Sequence, residues 1–150
     1  MNAMELKVKR FGEMEAGELY AVLKARVDVF VVEQNCPYPE LDGLDRDAVH
    51  VWLEEDGKIL AYLRVMDRGA ESEDVSIGRV LATERRRGLG TRVLQEGIRA
   101  AKEYFGAERI YLEAQTAAKS LYERQGFRTV SDVFPLDGIP HVKMILECGR

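Results

Sequence analysis

The stretch that decides the fold runs Val75-Ser76-Ile77-Gly78-Arg79-Val80-Leu81-Ala82, then Thr83-Glu84-Arg85-Arg86-Arg87-Gly88-Leu89-Gly90-Thr91, then a segment carrying Val93, Leu94, Ile98, Ala101 and Phe105 before Gly106. The first eight residues are mostly aliphatic and read as a strand, interrupted by Gly78 at a place that suits a bulge. In the third part the apolar residues recur at helical spacing, and Gly106 stands where a C-cap glycine ends a helix. Between strand and helix lies a turn of three arginines and two glycines. A helix start exposes N–H groups without intrahelical partners and the positive end of the macrodipole. Glycines let the backbone close on an anion, and guanidinium forks match phosphate oxygens. The turn therefore has the chemistry of a phosphate or pyrophosphate cradle.

Two phosphate motifs fail here. A P-loop needs G-x-x-x-x-G-K-[ST], and no Gly-Lys-Ser/Thr follows. A dinucleotide fingerprint needs a third glycine, and Val93 holds that position. An isolated Gly-x-Gly also fits a solvated basic turn before a surface helix. The setting between strand and helix favours the cradle.

Towards the N-terminus, Leu6 to Phe11 alternates weakly and reads as a short strand. From Ala16 the period changes. Leu19, Leu23, Val27 and Phe30 mark one face of a helix that ends before Asn35, ahead of Pro37 and Pro39. The segment from Asn35 to Asp47 carries Glu40, Asp42, Asp45 and Asp47 and reads as a long ordered loop. Its carboxylates suit either a solvated surface or the attraction of a cationic amine. A hairpin follows. Val49, Val51 and Leu53 alternate with His50, Trp52 and Glu54, Asp56-Gly57 makes the two-residue turn, and Ile59 to Val65 returns. Towards the C-terminus, Arg109 to Ala114 is a strand and Ala117 to Arg124 a short helix closed by Gly126. Phe127 to Phe134 and His141 to Leu146 are two final strands around a Pro135–Pro140 loop. The order β-α-loop-β-β-β-α-β-α-β-β predicts a mixed α/β (α+β) sheet in a single domain spanning residues 1–150.

Composition narrows the function. Of 150 residues, 46% are hydrophobic and 32% charged, ordinary values for a globular chain that exclude a disordered or collagen-like one. The net charge of −4 disfavours non-specific nucleic-acid binding, although a local basic patch would survive it. No apolar run approaches the roughly 18 residues of a membrane span. Met1 to Lys7 has no apolar core of a signal peptide, so a cytoplasmic location is expected. Cys36 and Cys148 form no disulfide framework and suit a reducing compartment. Two histidines and two distant cysteines make no ligand cluster, so no metal is expected.

Arg85-x-x-Gly88-x-Gly90 resembles the [Q/R]-x-x-G-x-[G/A] pyrophosphate motif of the GNAT N-acetyltransferase superfamily. Ala118-Lys119-Ser120-Leu121-Tyr122-Glu123-Arg124-Gln125-Gly126-Phe127 is similar to that family's A-x-x-x-Y-E-x-x-G-F segment, in the right order and separation. Phe30 to Pro37, Glu113-Ala114-Gln115 and Asp137-Gly138-Ile139-Pro140-His141 are similar to its ElaA-like bacterial subgroup. The likeness runs from about Leu19 to Leu146.

This resemblance implies a mostly antiparallel sheet whose two middle strands splay apart, flanked by helices, with acetyl-CoA as co-substrate. The arm of the coenzyme would pair with the backbone of Val80, Leu81 and Ala82, one N–H of which would face the thioester oxygen. The pyrophosphate would sit on Arg85, Arg86, Arg87, Gly88, Leu89, Gly90 and Thr91, with Gln115 also on the coenzyme side. The acceptor would be a primary amine. A lysine-type amine must lose a proton before it attacks, at a cost of about 4.6 kcal/mol at pH 7. Tyr122 matches the family's general acid, although an aromatic on a short helix also suits a core. Glu113 matches a position where some members carry a base, yet an alternating strand could equally turn it to solvent. Glu33 follows the first helix and borders the acceptor side, or is a surface charge. His141, which opens the last strand, is a further catalytic candidate, and His50 fits a hydrogen-bonded structural role. Cys36 has no histidine spacing to make it a nucleophile.

Three readings compete: an acetyl-CoA-dependent N-acetyltransferase for a small-molecule or peptide amine, a non-catalytic acyl-CoA-binding regulatory module, and a nucleic-acid-binding module. Net charge and the absence of interleaved aromatics weigh against the third. No membrane partner is expected, and a homodimer is compatible with the sequence.

Overall fold

A computed structural model describes residues 4–84 and 88–149. The expected contacts of Arg85, Arg86 and Arg87 lie outside the described residues. The strands are β1 (Glu5–Arg10), β2 (Val49–Glu55), β3 (Lys58–Met66), β4 (Val75–Ala82), β5 (Arg109–Gln115), β6 (Arg128–Thr129), β7 (Phe134–Leu136) and β8 (Ile139–Glu147). They form a sheet ordered β1-β2-β3-β4-β5-β8-β6, with β7 paired to β8. Every pairing is antiparallel except β4 with β5. The helices are α1 (Ala16–Val27), continued as a π-helical stretch over Asp28–Glu33, α2 (Leu89–Phe105) and α3 (Lys119–Glu123). Among the described residues no helix is long and apolar enough to cross a membrane.

The β2–β3 hairpin turns on Asp56 (φ 53°) and Gly57 (φ 75°), the two positive φ values of the turn that matches strand twist. Both strands are buried on both faces because each face carries a helix. Val51, Leu53, Leu63 and Val65 pack with Val93 and Leu94 of α2, and Trp52 and Tyr62 pack with Val22 of α1. Helix α2 ends as its sequence predicts. Gly106 adopts φ 58° and its N–H reaches the Lys102 carbonyl, while Ala107 N–H reaches that of Ala101, a left-handed glycine C-cap.

Three expectations need correction. Helix α1 buries Val22 and Arg26 rather than the row Leu19, Leu23, Val27 and Phe30, which is only half-buried. The buried row contains a charge, so an apolar pattern could not find it. The strand expected from Phe127 to Phe134 is two short strands, β6 and β7, each paired to β8. The Pro135–Pro140 segment is no loop but a hairpin, turning on Asp137 (φ 54°) and Gly138 (φ 78°) with Leu136 opposite Ile139. The two prolines disguised the same Asp-Gly signal that was legible at residues 56 and 57.

Gly97 sets how closely α2 approaches the sheet. A Cβ there would lie 2.6 and 2.7 Å from the two Cδ atoms of Leu63, which is fully buried. Overpacking of this kind costs about 1–3 kcal/mol. Gly97→Val should lower the unfolding free energy by about that amount, read as a shifted denaturation midpoint at unchanged slope.

Candidate active site

Strands β4 and β5 pair at only two positions, Val75 with Ile110 and Ser76 with Tyr111. Beyond them the strands separate. The cause lies in β4. Tyr62 stands opposite Leu81 and Arg64 opposite Gly78, so three steps on β4 match two on β3. The inserted residue is Arg79, left-handed at φ 53°. The bulge therefore falls one residue beyond Gly78, which does not itself have a positive φ. A bulge bends its strand and deepens the local twist, which turns Ile77–Ala82 away from β5.

A non-glycine residue in this conformation costs on the order of 1–3 kcal/mol. Arg79 is held there by its side chain. Its Nε donates to Glu40 Oε2 (2.7 Å), and its Nη2 to the Glu40 carbonyl (3.2 Å) and to Asp42 Oδ2 (3.3 Å). Arg26 Nε donates to the same Glu40 oxygen (2.8 Å) and its Nη1 to Asp45 Oδ1 (2.6 Å). Arg64 binds Asp42 in a two-pronged pair and reaches Asp45 at 3.0 Å. Glu40, Asp42 and Asp45 are thus not free to draw in an amine. They are consumed by three arginines, two of them fully buried. His50 belongs to the same network. Its Nε2 faces the Asp45 carbonyl (2.9 Å) and its Nδ1 the Tyr62 hydroxyl (2.6 Å). A carbonyl only accepts, so Nε2 carries the proton and Tyr62 donates to Nδ1. Burial lowers the His50 pKa, which favours the neutral ring this arrangement needs.

The separated strands open onto a cleft of about 570 Å³. Val80, Leu81 and Ala82 line it from β4, and Leu112, Glu113 and Gln115 from β5. Tyr122 reaches it from α3, 6% exposed and edge-on to Phe127 at 6.0 Å. Its hydroxyl has no hydrogen-bond partner among the described residues, and burial pushes its pKa up to about 12. At the head of α2, Gly88 is the left-handed N-cap (φ 66°), with no side chain capping the first turn. Leu89 buries its side chain in the core, so only its backbone faces outward chemistry. A Cβ at Gly90 would touch Leu121 of α3. Thr91 is half-buried.

The remaining candidates gather at the α1 side of the cleft. His141 stands directly opposite Gln115 in the β5–β8 ladder, and Gln115 Nε2 reaches Gln34 Oε1 at 3.4 Å. Glu33, exposed, is the next residue back. His141 is 7% exposed, and its Nδ1 lies 2.7 Å from the Ile139 carbonyl. That nitrogen must donate, which leaves Nε2 with a lone pair in the neutral ring. Glu113 is exposed and accepts the Tyr111 hydroxyl at 2.6 Å. It points away from the face that Ile110, Leu112 and Ala114 give to the core containing Tyr122. Cys36 lines the cleft, its Sγ 3.8 Å from the Asp137 carbonyl. The arginine network and Asp137 escaped the sequence reading, because neither a buried charge nor a hairpin tip between prolines leaves a periodic trace.

The network also predicts an acid limit. Burial alone would raise the pKa of Asp42 and of Asp45, but the paired arginines outweigh it and both fall below the usual 3.8. Carboxylates lowered by folding stabilise the protein above their unfolded pKa, and that contribution is lost as pH falls through the folded one. Stability should therefore drop below about pH 4. Arg26→Leu, which leaves buried carboxylates uncompensated, should cost about 3–5 kcal/mol at neutral pH. Urea unfolding across a pH series measures both.

A family model described as an acetyltransferase (GNAT) domain matches residues 21–148. Protein ElaA of Escherichia coli (strain K12) is 36% identical over 139 residues, which cover 90% of this chain and 91% of ElaA. A UPF0039 protein of Schizosaccharomyces pombe is 37% identical over 151 residues, covering 98% and 99%. Among solved structures, an acyl-CoA N-acyltransferase from Pseudomonas aeruginosa matches with a TM-score of 0.89 at 38% identity, covering 96% of this chain and 99% of that one. Escherichia coli ElaA matches with a TM-score of 0.90 at 33% identity, covering 97% and 100%. A mixed sheet parted at its one parallel pair, a capless glycine start to α2 and these likenesses agree: the chain belongs to the GNAT acetyltransferase family, in its ElaA-like subgroup.

Proposed function

We propose that the chain acts as one domain that moves the acetyl group of acetyl-CoA to a primary amine, by direct attack within a ternary complex in the cytoplasm. The observation that carries this reading is the parting of β4 from β5 after two residue pairs. It frees one backbone edge of Ile77–Ala82 beside a cleft that Tyr122 lines from one side and His141 from the other.

The residues fit the co-substrate on two counts. The unpaired edge at Val80, Leu81 and Ala82 offers N–H and C=O groups to an amide-rich arm, as an added strand would use them. The first N–H groups of α2, at Leu89, Gly90 and Thr91, have no side-chain cap and suit a pyrophosphate behind Gly88. Acetyl-CoA supplies an acyl carbon activated as a thioester. Arg85, Arg86 and Arg87 would add charge to the cradle.

The protein's own groups then handle two protons. His141 Nε2 takes the proton that the amine sheds, its ring held by the Nδ1 bond to Ile139. Tyr122 donates to the departing sulfur. With a pKa of about 12 its phenol stays protonated throughout the working range, so it is an acid and not a base. An N–H of the β4 edge meets the developing oxyanion. Glu113, engaged by Tyr111, and Glu33, at the rim, shape the acceptor side.

Tyr122→Phe should lower kcat by roughly 10²-fold or more and leave coenzyme affinity unchanged, measured by thiol release and calorimetry. Turnover at the wild-type rate would remove Tyr122 from the reaction. Gly88→Glu should abolish coenzyme binding, since it adds strain at a positive φ and a negative charge against the pyrophosphate. Coenzyme binding without thiol release on any amine would instead assign a non-catalytic module.

A further inference from the structure

We infer that the acceptor is an aliphatic diamine or polyamine cation, whose reacting nitrogen meets His141 and whose distal ammonium is held by Glu33 and Asp137. The inference rests on the acetyltransferase reading above and names its substrate class.

The argument begins with how the protein treats charge around the cleft. The carboxylates of Glu40 and Asp42 line it and are paired with arginines, and Glu71 lies 3.4 Å from Arg64. Glu33 and Asp137 also line it, and their carboxylates have no partner among the described residues. They arrive from distant parts of the chain, one after α1 and the other at the tip of the β7–β8 turn. Cys36, three residues beyond Glu33, touches the Asp137 backbone at 3.8 Å, so both carboxylates belong to one lip. A cation bound at this lip would meet two carboxylates not already paired with an arginine.

A second, independent observation points inward from this lip. His141 is more than nine-tenths buried, lines the cleft, and has its Nδ1 bond spent on Ile139. Its Nε2 has no partner among the described residues. With Nδ1 donating, the lone pair on Nε2 is available to take the proton of an incoming amine. The segment Glu33–Gln34, bonded to Gln115 and so to the strand position facing His141, ties the lip to the inner nitrogen. Phe30, Tyr38, Leu136 and Ile139 line the same side. Tyr38 and Leu136 are left substantially exposed, as a methylene stem lying across them would require. An ammonium at each end and an aliphatic middle is the chemistry that this surface complements.

The reaction balances without a further reagent. The reacting ammonium gives one proton to His141, its nitrogen bonds to the acyl carbon, and the carbon–sulfur bond breaks. The sulfur leaves with the proton of Tyr122, the second proton that the nitrogen sheds on becoming an amide restores the phenol, His141 returns its proton to solvent, and the distal ammonium is unchanged.

The test compares 1,4-diaminobutane with 4-amino-1-butanol, which has nearly the same length but no second charge, by thiol release from acetyl-CoA. The expected result is a kcat/KM at least roughly 10-fold higher for the diamine, mostly through KM and shrinking with added salt. In Glu33→Gln/Asp137→Asn the ratio should fall towards one. Both side chains are exposed, and asparagine tolerates the positive φ of residue 137, so the variant keeps its fold, which a melting curve verifies. Equal kcat/KM for the two amines in the wild type, or a ratio that survives in the variant, overturns the assignment. A peptide amine that outcompetes the diamine with no loss in the variant overturns it as well. Acetyl-CoA binding by calorimetry separates the two levels. Binding with no release on either amine defeats the acceptor class and leaves the coenzyme reading standing, whereas no binding defeats both.

Discussion

The ion pair between Arg79 and Glu40 carries the architecture of the cleft. A left-handed arginine inside a strand is unfavourable by itself, and nothing in the local sequence demands it. It persists because the guanidinium is fixed in two directions by one residue, through its carboxylate and its carbonyl. The bulge so maintained shifts β4 against β3, and the same shift releases β4 from β5. An opening is thereby made in a sheet that would otherwise close over it. The strain stored in one residue and the space available for a ligand are two sides of the same constraint.

Glu40 does not act alone. Arg26 shares its carboxylate oxygen and Arg64 joins through Asp42 and Asp45. Buried ion pairs of this kind are weak sources of net stability, because desolvation offsets most of the attraction. Their value lies in specificity. With the arginines in place, Tyr38 and Glu40 have one position relative to β4. Glu40, Asp42 and Asp45, which looked available for substrate, are spent on building the wall, while Glu33 and Asp137 are without a partner among the described residues.

Much of this was legible in the sequence, for identifiable reasons. The strand–turn–helix unit from Val75 to Gly106 was readable because three independent signals agree: aliphatic strand residues, glycines at the turn, and a C-cap glycine. The Asp56-Gly57 hairpin was readable from turn chemistry alone. Tyr122 was found through the segment around it, and it lines the cleft. What stayed hidden shares one property. Arg26 sits on the buried row of α1, where a periodicity search expects an apolar residue. Arg79 bulges one residue beyond the glycine that invited the bulge. The β7–β8 hairpin hides behind two prolines, which argue against strands unless they lie at an edge. None leaves a local periodicity: the two arginines pair far away in the chain, and the hairpin's Asp-Gly turn is flanked by prolines.

Strand β8 follows every other strand in the chain, yet it lies inside the sheet, between β5 and β6 and with β7 folded onto it. It brings His141 and, through its hairpin, Asp137. Its pairing with β5, from Gln115–His141 to Arg109–Glu147, requires the last strand of the chain. During synthesis β1 to β5 therefore emerge before the strand that walls the cleft on the His141 side. The cleft is closed at the rear only when β8 slots beside β5.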